Sequence, residues 1–238
     1  MLERPTNKLN PEELQGVIRT LTQGQIAEND RLHMPIGDGE LFDNFMQTEL
    51  YVQLYANFSR FTNFPLNPQS NIQFDGTWGN IRGKLFEGIA FFYLVNANSN
   101  PSLVVLSERR TGYFSSLYGN HAINKNGERE ALGTMTPDGL LVDTDGNILK
   151  VLEYSLSNDT KYYLSKINGF EKAKSRFPEI YSGAEILFVT PIHQIAPKIP
   201  TRKIEMPFSK DDFENFAERV MYENPSTEPE TFQAPVVN

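Results

Sequence analysis

Two strand-like runs, Asp138-Gly139-Leu140-Leu141-Val142 and Asn147-Ile148-Leu149-Lys150-Val151-Leu152-Glu153-Tyr154-Ser155, are separated only by Asp143-Thr144-Asp145-Gly146. A turn ending in Asp-Gly between two such runs predicts an antiparallel hairpin. The second run is apolar enough to lie inside a sheet, and Glu153 interrupts it. A buried, unpaired carboxylate is costly, so a sheet built here has to meet Glu153 with a metal, a cation or a hydrogen bond. The alternative is a frayed strand end with Glu153 in water. Alternation of side chains puts Leu149, Val151, Glu153 and Ser155 on one face and Lys150, Leu152 and Tyr154 on the other. Asp138 follows Pro137 and begins the partner strand, so the hairpin can bring it across from the far end of the second strand. Asp143 and Asp145 sit in the tight turn and read as structural.

The elements around this hairpin alternate in type. Ile81, Leu85, Ile89 and Phe92, at spacings of three and four, predict a helix over 78–95 that carries Lys84 and Glu87. Leu103 to Leu106 is a short buried strand, and the polar stretch from Ser107 to Gly133 is a long excursion. After the hairpin come a helix over 160–177, with Tyr163, Ile167, Phe170 and Phe177 on one stripe, and an apolar strand from Glu185 to Thr190 ended by Pro191. The expected fold class is therefore α/β, with a core at 76–200. A helical N-terminal region occupies 1–75, with one helix after Asn10-Pro11 and another over 39–61. Pro65 and Pro68 form a linker, and 201–238 supplies a helix from Ser209 to Tyr222 and a disordered tail from Asn224.

Composition narrows the chemistry. With no cysteine in 238 residues, thiolate zinc sites, iron–sulfur clusters and cysteine nucleophiles are excluded, and any metal sits on oxygen or imidazole. His33, His121 and His193 lack metal-ligand spacing, and no Gly-x-Ser-x-Gly turn is present. No apolar run is long enough for a membrane span and no signal peptide is evident, so a cytoplasmic protein is expected. The net charge of −8 argues against bulk attraction to nucleic acid. That acidity lies in the flanks, however, and 76–200 is near neutral with a basic run at Lys161, Lys166, Lys172, Lys174 and Arg176. A polyanion can still approach the middle of the chain, and the acidic flanking helices offer a surface to a protein partner.

Pro137-Asp138 followed by Glu153-Tyr154-Ser155, with Gly83-Lys84-Leu85-Phe86-Glu87 on a preceding helix and a helix and strand afterwards, resembles the PD-(D/E)XK nuclease superfamily. The resemblance covers about 78–191. It implies a restriction-endonuclease-like core of helix, three-strand antiparallel meander, helix and further strand. It also implies a Mg²⁺-dependent endonuclease acting on DNA, with Mn²⁺ able to substitute, in which Asp138, Glu153 and Glu87 bind the metal. Where the family carries a lysine that orients the attacking water, this chain has Ser155. In some members that lysine comes from another element, and Lys166 and Lys84 are the candidates. A catalytically inactive protein of the same fold that binds nucleic acid or a protein is the alternative.

Overall fold

The computed structural model describes residues 11–37, 39–61, 77–107, 121–123, 129–131, 137–176, 178–192 and 203–222, and the chain is mixed α/β. The expected linker around Pro65 and Pro68, the tail from Asn224 and His193 lie outside the described residues. In chain order the elements are α1 (Pro11–Leu32), α2 (Leu41–Met46), α3 (Glu49–Phe61), α4 (Thr77–Ala97), β1 (Leu103–Leu106), β2 (His121–Ile123), β3 (Arg129–Ala131), β4 (Gly139–Asp143), β5 (Ile148–Tyr154), α5 (Thr160–Arg176), α6 (Pro178–Tyr181), β6 (Glu185–Ile192), β7 (Lys203–Ser209) and α7 (Lys210–Tyr222). None of the described helices is long and apolar enough to cross a membrane.

Five strands make one sheet in the order β1-β4-β5-β6-β7, and β2 and β3 form a separate antiparallel pair. β1, β4 and β5 are antiparallel neighbours, whereas β5, β6 and β7 run parallel. A parallel pair needs a crossover, and α5 with α6 provides it between β5 and β6. The expected succession of helix, three antiparallel strands, helix and strand is thus α4, β1, β4, β5, α5 and β6. Its fifth strand, β7, comes from the segment after 200, which was expected to hold only a helix and a tail.

Local chemistry explains the boundaries. In the β4–β5 turn, Asp143 Oδ1 accepts from the amides of Asp145 and Asn147 at 3.0 and 2.8 Å, and Gly146 takes a φ of +84°. The single helix expected over 39–61 is two helices, because Thr48 intervenes. Its hydroxyl donates to Phe45 O at 2.6 Å and accepts from Tyr51 N at 3.1 Å, so it caps the start of α3. Ser209 and Asp212 cap α7 reciprocally, each amide donating to the other's side-chain oxygen at 2.9 and 3.1 Å.

The sheet separates two apolar cores. One face, carrying Leu152, Tyr154, Leu187, Val189, Met206 and Phe208, packs on α2, α3, α4 and α7. The other, carrying Leu140, Val142, Val151, Ile186 and Phe188, packs on α1, α5 and α6. The helices before 76 and after 200 therefore share cores with the central segment. Helix α1 also lies along β1, where Asn29 Nδ2 donates to Val105 O at 3.2 Å and the Ser107 amide donates to Gln25 Oε1 at 3.2 Å. Gln25 is buried while doing so.

Helix α1 additionally seats on the β4–β5 turn. A Cβ on Gly146 would lie 2.9 Å from Arg19 N, and Gln15 Nε2 donates to Asp145 O at 3.2 Å. Positive φ and backbone crowding together make Gly146→Ala cost about 1–3 kcal/mol by urea unfolding. Gly16→Ala, in the same helix with nothing within 4 Å, is expected to be neutral or stabilising. Equal stability of the two variants would show that this seat contributes nothing.

Candidate functional site

Glu153, the penultimate residue of the central strand β5, is 0 % exposed rather than solvated. The antiparallel register pairs Gly139 with Leu152, so one step on Asp138 stands opposite Glu153. Both belong to the face shared with Leu140, Val142 and Val151, the side on which α5 packs. Asp138 is held there by the backbone: its Oδ2 accepts from Tyr154 N at 2.9 Å. Gly139 leaves room beside it, since a Cβ would lie 2.5 Å from the Tyr154 hydroxyl and 3.2 Å from Leu106 O.

Helix α5 supplies the opposite charge. Asp159 Oδ1 accepts from Lys161 N at 2.9 Å and starts the helix, so Tyr162 and Lys166, four residues apart, share a side. Lys166 Nζ lies 2.5 Å from Glu153 Oε2 and 5.6 Å from the centre of the Tyr162 ring. Glu153 Oε1 has no hydrogen-bond partner among the described residues. Burial pushes Glu153 up to about 8, the charge of Asp138 adds to this, and Lys166 opposes it. Burial would lower Lys166, but the charge and hydrogen bond of Glu153 outweigh it and its pKa is raised. These two shifts pull against each other: the first favours a neutral carboxyl, the second an ion pair. Below about pH 8 the 2.5 Å contact joins Lys166 to a neutral carboxyl, and above it the same contact is a charged pair held at an energetic cost, which a further cation would relieve.

Ser155 does not take a lysine's place. Its hydroxyl accepts from Ser157 N at 3.1 Å and hydrogen-bonds to Tyr162 and Tyr163, so it organises the loop leading into α5. Glu87 does not converge on the other two carboxylates. It sits on α4 with Lys84 Nζ 2.7 Å from its Oε2, and its charge raises Glu153 less than that of Asp138 does. Among the described residues no group of three His, Asp or Glu side chains is placed to hold one metal ion. Asp138, Glu153 and Lys166 are thus assembled, and Glu87 and Lys84 form a separate pair. Lys150 likewise pairs elsewhere, with Glu185 at 2.6 Å.

Two residues of this region were not singled out as functional from sequence. Tyr162 lies outside the apolar stripe of Tyr163, Ile167 and Phe170, but its position one turn before Lys166 places it on the same side of the helix as that lysine. Thr190 carried the same signal as Glu153, a polar residue closing an apolar strand.

Comparison with protein-family models, with characterised proteins and with solved structures finds no match to this chain.

A carboxyl whose pKa is raised in the folded state binds its proton more tightly there than in the unfolded chain. Its stabilising contribution is complete below the unfolded value of 4.5 and is lost as pH rises through about 8. Urea unfolding of the wild type is therefore expected to show stability declining across this window, at no more than ~1.4 kcal/mol per pH unit. Glu153→Gln flattens the decline. An unchanged slope in that variant would mean that Glu153 is not the group responsible.

Proposed function

We propose that this protein is a metal-dependent nuclease that hydrolyses the phosphodiester bonds of DNA on a restriction-endonuclease-like core. The observation that carries the reading is the contact of Lys166 with Glu153 on the sheet face shared with Asp138. It supplies, from α5, the positive charge that Ser155 lacks. The order α4, β1-β4-β5, α5, β6 supports the same reading.

The donors suit a hard divalent cation. Asp138 and Glu153 offer carboxylate oxygens, and Glu153 Oε1 is buried without a partner among the described residues. Two carboxylates are a usual protein share for Mg²⁺, which keeps several waters and takes substrate phosphate as well. These two residues, without Glu87, would hold Mg²⁺ or Mn²⁺. The ion when bound would supply charge for the phosphorane oxygens and a more acidic water. Asp138 is oriented for that task by the Tyr154 amide, and Lys166, steadied by the Tyr162 ring, keeps a cation beside the attacking water. The sheet and α5 fix these groups on regular elements, which limits their movement.

A second reading, a non-cleaving protein of the same fold that binds nucleic acid or a protein partner, is favoured by Ser155 and by the failure of three described donors to gather. Supercoiled and single-stranded DNA incubated with Mg²⁺ or Mn²⁺ separates the two. Cleavage is expected, with loss on chelation and on Asp138→Ala or Glu153→Ala. Lys166→Ala should lower the rate by ~10²-fold or more. Retention of DNA that weakens steeply with salt, with no cutting in either metal, supports the second reading and ends the first.

A further inference from the structure

Strand β6 repeats the anomaly of β5. Thr190 ends the apolar run Ile186-Leu187-Phe188-Val189, is 0 % exposed, and its Oγ1 has no hydrogen-bond partner among the described residues. The parallel register pairs Glu153 with Phe188 and Tyr154 with Val189. The ladder continues through Ser155 N donating to Val189 O at 3.0 Å, so Thr190 stands beside Ser155. Residues two apart on a strand share a face, and Thr190 therefore shares that of Phe188 and Glu153. It lies diagonally across from Glu153, roughly 7–8 Å away between backbones, which leaves the two side chains within reach of one bridging molecule.

The neighbouring hydroxyl is already committed. Ser155 Oγ serves Ser157 N, Tyr162 and Tyr163, so it does not satisfy Thr190. Glu153 Oε1 is the other unpartnered oxygen on this face. A hydroxyl and a carboxylate oxygen, both buried on one face and unpaired among the described residues, are the setting in which proteins retain an internal water.

We propose that Thr190 is a positioning residue of the candidate site, its hydroxyl and Glu153 Oε1 holding one buried water that fixes the carboxylate's orientation toward Asp138. A role in cleavage rests on the nuclease reading, whereas the coupling of Thr190 to Glu153 does not. If Thr190 were simply an orphan, Thr190→Val would leave stability unchanged or raise it.

A double-mutant cycle tests the coupling without metal or DNA. Thr190→Val is expected to lower the Tm by roughly 2–4 °C in the wild-type background and to have little effect in Glu153→Ala. An equal loss in both backgrounds, or a rise in the wild type, overturns the proposal. Where a variant fails to fold, a high-resolution crystal structure of the unsubstituted protein decides: density for a water between the two oxygens supports the proposal, and its absence overturns it. In a cleavage assay Thr190→Val should lower kcat with KM for DNA unchanged. A protein that cuts no DNA yet retains the coupling loses the nuclease reading and keeps this one.

Discussion

One carboxylate inside a sheet sets the terms for this end of the molecule. Glu153 has been taken out of water between two apolar strands, with a second acid, Asp138, opposite it. Lys166 compensates from a partly exposed position, but taking the carboxylate out of water is costly, and an apolar side chain of similar size would serve the fold at least as well. What the pair gives is a confined, charged point on an otherwise apolar face, and the surrounding residues make sense as its supports. Asp159 sets the start of α5, Tyr162 lies under the lysine stem, and Gly139 lets the Tyr154 ring close over the adjoining backbone.

The sheet also divides the acids between two environments. Glu153 belongs to the side of α5, whereas Glu87 belongs to that of α4 and already has Lys84. Distance along the chain said nothing of this division, since a helix that precedes the strands can cover either face. Two carboxylates and a cation therefore act as a unit, while the third acid adds a weaker field from α4. A site of this composition is polarised: negative oxygens project from the strands and positive charge from the helix, so an anionic group approaching the site would meet the helix side more favourably.

Much of this was legible in the sequence, for reasons that can be assigned. The Asp-Gly turn fixed the hairpin because Gly146 alone tolerates the required dihedral, and strand periodicity placed Val151 and Glu153 together and Leu152 and Tyr154 apart. Lys166 could be named, although nothing in its spacing chose between a surface stem and an ion pair; only docking of α5 on the sheet decides. The break between α2 and α3 went unread because Thr48 looked like an ordinary helix residue until its hydroxyl served both neighbouring backbones. Strand β7 was missed despite the alternation of Ile204, Met206 and Phe208 with exposed Lys203, Glu205 and Pro207, since proline usually argues against a strand interior. Strands β2 and β3 have three residues each, too few for periodicity to register.

The seating of α1 has a consequence for the whole chain. A short outer strand such as β1 ordinarily presents unpaired main-chain groups along which other sheets can join. Here Gln25 and Asn29 occupy those groups from the flank of a helix, so the rim is sealed by side-chain amides. A chain beginning after Leu32 would lose this seal together with the α1 side of one core, opening the outer edge of β1 to intermolecular stacking.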